Sequence, residues 1–118
     1  YVVEHDSGTF FHGGDARPAE AFEEIGREFD IDVGALALGS VGNIYDPETD
    51  MTEPTRWYND ENQVIEADRS LHLTRLLPSH WDMWRGLTAD PTALTHHARS
   101  FDYPRTVSVV EIGDRFDV

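Results

Sequence analysis

Apolar residues recur at helical spacing in the first third of the chain. Phe22, Ile25 and Phe29 lie three or four residues apart, with acidic residues at most of the positions between them. This spacing is typical of a helix that packs one face against a core. Pro18 suits the first turn of such a helix. The pattern therefore predicts an amphipathic helix over residues 18–29.

Short β-prone runs predict the strands. Residues 1–4 and 9–12 flank a turn-forming Asp-Ser-Gly sequence, which indicates a hairpin. Residues 33–38 form an apolar run typical of a buried strand, and residues 106–112 form another β-prone run. A second hairpin is predicted where two β-prone runs, 55–58 and 63–67, flank the polar tetrapeptide Asn-Asp-Glu-Asn.

The remaining segments are predicted to be a long loop and two helices. Residues 40–55 are rich in Gly, Pro and Asp, and form the longest predicted loop. Pro78 and Ser79 are predicted to open a short helix. Asp90 followed by Pro91 has the order of a helix cap and first turn.

One face of the helix predicted after Pro78 is apolar. It carries Leu77, Trp81, Trp84 and Leu87. Because hairpin signals outnumber parallel crossover signals, the fold class predicted is α+β. We expect a mainly antiparallel sheet with two to three helices packed on one face. The length of 118 residues predicts a single domain.

The charge balance is strongly acidic. The chain has 23 acidic and nine basic residues, for a net charge of −14, and every basic residue is arginine. Such an excess repels itself in dilute buffer, whereas at molar salt the Debye length falls to about 3 Å. Because the acidic residues are spread along the whole chain, the composition resembles proteins of extremely halophilic archaea and their viruses. The alternative is a DNA mimic or an acidic inhibitor of a basic protein.

Composition also disfavours several classes of function. The arginines are scattered singly, so no nucleic-acid partner is predicted. The lack of cysteine excludes disulfides and thiol catalysis. Apolar stretches are only a few residues long, so no membrane association is predicted. The expected location is the cytoplasm, or the virion if the source is viral.

Histidines are the main candidates for chemistry, and none has the spacing of a metal motif. His96 and His97 would point about 100° apart on a helix, and no HExxH pair occurs. The acidic residues of 46–50 are similar to the start of a calcium loop, but Met51 stands where glycine is needed. No cofactor and no metal site are therefore predicted. His80, His96 and His97 are the residues that a metal site would use.

Aromatic residues provide the positive signal for function. Trp57, Tyr58, Trp81, Met83 and Arg85 belong to the residue types enriched at protein interfaces. Since no catalytic motif is found, the sequence predicts a non-enzymatic interaction or assembly module that binds a protein partner or itself. One alternative is a small hydrolase or metal-dependent enzyme that uses His80, His96 or His97 with a carboxylate. The other is a regulatory domain that binds a small molecule.

Overall fold

The structure is a computed structural model that describes residues 1–39, 41–83 and 88–115. Its three helices are α1 (Glu20–Glu28), α2 (Glu61–Leu71) and α3 (Pro91–Ala98). Its strands are β1 (Val2–His5), β2 (Gly8–His12), β3 (Val33–Ala37), β4 (Val41–Asp46), β5 (Met51–Arg56), β6 (Arg75–Ser79) and β7 (Thr106–Val107). Within these ranges, no helix is long and apolar enough to cross a membrane.

The α+β class predicted from the sequence is confirmed, since helices and two sheets are both present. The larger sheet has the order β1-β2-β3-β6-β7, and β4 and β5 form a second, two-stranded sheet. Strand direction in the larger sheet differs from the mainly antiparallel arrangement that we expected. Only β1 and β2 pair antiparallel, whereas β2–β3, β3–β6 and β6–β7 are parallel. Each parallel step is made by a chain segment that contains a helix, as parallel crossovers require.

The helices form one layer, as predicted. α2 contacts both α1 and α3, and it also packs on β3. Gly26 of α1 allows the closest approach, because a Cβ atom there would lie 2.1 Å from the carbonyl oxygen of Ser70 in α2. The core lies between this layer and the sheet. Its fully buried apolar side chains are Leu36, Leu38, Val64, Leu71, Leu73, Leu76 and Leu94.

Two predictions for the middle of the chain are wrong. The segment predicted as the longest loop forms the β4–β5 hairpin, in which Val41 pairs with Arg56. The second predicted hairpin, over residues 55–67, is instead the end of β5 followed by the first part of α2. Asp60 caps this helix by accepting a hydrogen bond from the Gln63 backbone amide, and the Gln63 side chain accepts one from the Asp60 amide. This capping box explains why polar residues typical of turns begin a helix here.

The helix predicted after residue 78 is also wrong at its start, because Pro78 lies inside β6. Proline is tolerated there because its missing amide points towards the β7 side of β6, and the β6–β7 pairing already ends at Leu76 and Val107. Trp84 and Leu87, which the predicted helix included, lie outside the described residues. The strand predicted over 106–112 is limited to Thr106–Val107.

Candidate functional site

Three parallel strands bring two ionisable side chains to one edge of the sheet. β2, β3 and β6 run in the same direction, so their carboxyl ends lie side by side. The turn that follows β2 carries Asp15, and His80 comes directly after β6. In sheets of this kind, ligands bind at the carboxyl ends of the strands.

The backbone of His80 has an unusual conformation that aims its side chain. Its φ angle is 63°, in the left-handed region that few residues other than glycine adopt and that Asp50 and His72 also adopt in this structure. Its ring lies against the ring of Tyr58, with 5.0 Å between centroids. Only 19% of its side chain is exposed. A costly backbone conformation at a partly buried histidine is the kind of local strain that clusters at functional sites.

His80 and Asp15 approach each other closely. The Nδ1 atom of His80 lies 2.9 Å from Oδ1 of Asp15. Although Nδ1 is buried, it makes no hydrogen bond of acceptable geometry with any described residue, Asp15 included. A ring nitrogen and a carboxylate oxygen thus lie at ion-pair distance, in an orientation that does not have hydrogen-bond geometry. Two ligands of one tetrahedral zinc ion lie about 3.3 Å apart, which is close to the separation seen here.

Other buried polar atoms at this edge also lack partners among the described residues. They are the hydroxyl of Ser79 and Oδ1 of Asn59. Buried polar atoms of this kind call for an explanation, and a bound ion or water is one. Within the described ranges, however, no group of three or more potential metal ligands is present. The described residues therefore supply a pair of ligands.

The residues predicted as interface candidates are divided between this edge and the surface. Tyr58 is buried and donates a hydrogen bond to the sulfur of Met83 at 3.7 Å. Trp57 is 55% exposed, and Met83 is 51% exposed. Trp81 is half-buried at the margin of the core. Arg85 lies outside the described residues.

The three histidines of the predicted enzyme alternative do not come together. His97 lies on α3, where its Nε2 atom is 2.9 Å from the side-chain oxygen of Asn62 and its ring contacts Phe101. His96 is exposed on the same helix. Of the three, only His80 lies at the carboxyl edge of the sheet, and its carboxylate neighbour is Asp15. The sequence prediction did not include Asp15, although a Gly-Gly-Asp sequence directly after a strand was a usable signal.

A groove of about 760 Å³ lies away from this edge, on the helical face. It is lined by residues of both charges, including Arg27 and Glu23 of α1 and Arg69 and Glu66 of α2. Neither His80 nor Asp15 lines it. It is wide open to solvent, and none of the described residues that line it has a buried polar side-chain atom without a partner. The geometry therefore favours the sheet edge as the site of chemistry.

Comparisons with known proteins agree with this choice. No protein family model matches the chain. The chain is 30% identical over 91 residues to a probable L-ascorbate-6-phosphate lactonase, UlaG, of Salmonella gallinarum. The aligned part is 77% of this chain and 23% of the lactonase. The fold is similar to that of a metallo hydrolase from the hyperthermophilic archaeon Ignicoccus hospitalis, with a TM-score of 0.72 and 19% identity.

The chain is thus similar to only part of each of these enzymes. It covers less than a quarter of the lactonase, and it matches 42% of the metallo hydrolase over 96% of its own length. These similarities overturn the prediction of a non-enzymatic interaction or assembly module, because both proteins are named as enzymes. They favour the predicted hydrolase alternative.

Proposed function

We propose that the chain is part of a metal-dependent hydrolase in which His80 and Asp15 are two of the metal ligands. The observation that carries this proposal is the 2.9 Å approach of the buried His80 Nδ1 atom to Asp15 without hydrogen-bond geometry. Its position at the carboxyl ends of parallel strands and the similarity to a metallo hydrolase support it.

The donor atoms fit a catalytic metal. Imidazole nitrogen and carboxylate oxygen are both ligands of Zn²⁺ in hydrolases, and a catalytic zinc site takes three protein ligands. Since the described residues supply two, the proposal requires at least one ligand from outside the described part of this chain. When bound, the metal would lower the pKa of a water molecule and so supply hydroxide near neutral pH.

The chain's own residues have defined parts in this proposal. The left-handed backbone of His80 and the adjacent, tilted Tyr58 ring hold the imidazole at the sheet edge. Asp15 lies on a turn and is more exposed, with 70% of its side chain accessible. We therefore assign His80 as the fixed ligand and Asp15 as the ligand on the solvent side.

The experiment is a titration of the isotope-labelled chain with excess Zn²⁺ in molar KCl, since two protein ligands alone hold the metal weakly, followed by nuclear magnetic resonance. The side-chain signals of His80 and Asp15 should shift together along one binding curve. His80→Ala and Asp15→Asn should each abolish that response. His96→Ala removes an exposed histidine and is the matched control, so it should leave the curve unchanged. A response centred on His96 or His97, or no response at His80, would contradict the proposal.

A further inference from the structure

We infer that Tyr58 and Asn59, neighbours in sequence, are positioning residues that hold the two proposed ligands, one each. Tyr58 supports His80, and Asn59 supports the turn that carries Asp15. This inference rests on the proposed function. It concerns residues that touch neither a substrate nor a metal, and that act through His80 and Asp15.

The first step of the argument is the place that Asn59 takes in the sheet. Up to Gly13, the chain follows β3, and the Gly13 amide donates to the Ala35 carbonyl at 2.9 Å. Beyond Gly13 the chain leaves the sheet, so the side of β3 that pairs with β2 has no further partner from β2. Asn59 occupies the vacated position. Its side-chain amide donates to the Ala37 carbonyl at 2.9 Å, and its own carbonyl accepts from the Gly39 amide at 2.8 Å.

The second step is the bond from Asn59 to the departing chain. The same side-chain amide nitrogen donates its other hydrogen to the carbonyl of Ala16, at 3.0 Å. Ala16 is the residue after Asp15, and its own backbone amide donates a hydrogen bond to the carbonyl of Gly13 at 3.1 Å. One buried amide group therefore joins β3 to the Asp15 turn. A residue that only completed the sheet would need the bond to Ala37 but not the bond to Ala16.

The third step is the packing of Tyr58. Its ring lies on His80, and its other side meets Gly39, where an added Cβ atom would lie 2.7 Å from the Tyr58 Cβ. Leu38, the residue before Gly39, donates its amide to the carbonyl of Ser79, which precedes His80. Tyr58 is thus enclosed between the ends of β3 and β6, where movement of its ring would release His80.

A second contact fastens the Asp15 turn to the same segment. The guanidinium of Arg17 donates to the carbonyl of Arg56, at the end of β5. The short stretch from Arg56 to Asn59 therefore contacts both His80 and the turn that carries Asp15. It also leads into α2, whose capping box at Asp60 fixes the direction of the chain immediately after Asn59.

The experiment measures zinc affinity and local opening on the same variants. Asn59→Leu keeps the branching of the side chain, at a larger volume, and removes both donated hydrogen bonds. Tyr58→Leu removes the ring. Loss of residues that orient metal ligands lowers metal affinity about 10–100-fold, and we expect a change in this range for each variant. Tyr58→Phe keeps the ring and should retain wild-type affinity.

Leu73→Ala is the control for stability alone. Leu73 is fully buried just before the amino end of β6, at the opposite edge of the sheet from His80. This variant should lower the melting temperature without changing zinc affinity, when measured where all variants are folded. Equal losses of affinity in Leu73→Ala and Asn59→Leu would overturn the inference. If Asn59→Leu does not fold, Asn59→Ala removes the same donors from a smaller side chain and takes its place.

Hydrogen exchange without metal separates this inference from the proposed function. The Ala16 amide should be protected in the wild-type chain and exchange much faster in Asn59→Leu, while the Leu38 amide stays protected in both. If the wild-type chain binds no Zn²⁺ at His80 and Asp15, the proposed function fails, and exchange at Ala16 still shows whether Asn59 holds the turn. Unchanged exchange at Ala16 would refute the positioning role of Asn59 whether or not metal binds.

Discussion

Asp68 is the buried carboxylate whose removal should change stability most clearly with pH. It lies on α2 and is fully buried, and neither oxygen has a hydrogen-bond partner within the described part of the chain. Loss of hydration in this apolar setting raises the pKa of Asp68 from 3.8 to about 8. At neutral pH the folded protein therefore holds a proton that the unfolded chain releases.

The sign and size of the effect follow from that difference in bound protons. Between about pH 4 and pH 8 the folded state binds one more proton than the unfolded state, so stability falls as pH rises. The slope is about 1.4 kcal/mol per pH unit. Over the whole interval the loss has an upper bound of about 6 kcal/mol. Below pH 4 both states are protonated, and the penalty disappears.

The substitution Asp68→Asn tests this reasoning, because the amide has the shape of the protonated acid and cannot ionise. The free energies of unfolding of Asp68→Asn and the wild type should be nearly equal at pH 4. At pH 8 the variant should be the more stable by several kcal/mol. Urea unfolding followed by circular dichroism in molar KCl measures it at each pH. Glu66→Gln removes an exposed carboxylate from the same helix and serves as the control. A constant difference between Asp68→Asn and wild type across this range would refute the buried-proton reasoning.

Three further predictions concern the helix layer and the surface. Phe22→Ala should lower the free energy of unfolding by about 3–5 kcal/mol, because Phe22 is buried against Phe11. Glu23 is exposed, so Glu23→Ala should leave that free energy nearly unchanged, and equal urea midpoints for the two variants would contradict this. Gly26→Ala should lower the free energy of unfolding by about 1–3 kcal/mol, because the added methyl group pushes α1 away from the Ser70 carbonyl. An unchanged melting temperature would refute this. The melting temperature should rise steeply from dilute buffer to molar KCl, because salt screens the −14 charge; a flat response would count against the halophilic interpretation.

Elements with one clear buried face could be predicted from the sequence. The helical spacing of Phe22, Ile25 and Phe29 predicted α1, which spans Glu20–Glu28. The Asp90-Pro91 start of α3 and the β1–β2 hairpin were also correctly predicted. The local signals were the helical spacing of apolar residues for α1, a cap for α3 and a turn sequence for the hairpin, and each agrees with the tertiary fold.

α2 was not predicted because its buried face includes a charged residue. Its buried positions include Ala67 and Asp68 beside Val64, Ile65 and Leu71. A charged residue in that stripe breaks the helical pattern, since a carboxylate is expected at the surface. Only the fold shows that this one is enclosed.

The β4–β5 hairpin was missed for the opposite reason. Most of its side chains are exposed, among them Tyr45 and Met51, and Pro54 stands within β5. With no buried face along most of its length, the hairpin has no alternation of apolar and polar residues. Its composition was therefore typical of a loop.

The candidate site was only partly predictable. His80 was named among the possible ligands, whereas Asp15, which lies 2.9 Å from it, was not. The two residues are far apart in sequence and meet only because β2, β3 and β6 pair in parallel. Local patterns do not specify that pairing, so an antiparallel expectation left the two side chains unrelated.

The most direct test of the account is the position of zinc in crystals grown from molar salt with added Zn²⁺. An anomalous difference map at the zinc edge should show a peak that contacts both Nδ1 of His80 and Oδ1 of Asp15, at the carboxyl edge of the sheet. Zinc bound only at the exposed His96, or a map with no peak at the sheet edge, would contradict the proposal that His80 and Asp15 are metal ligands.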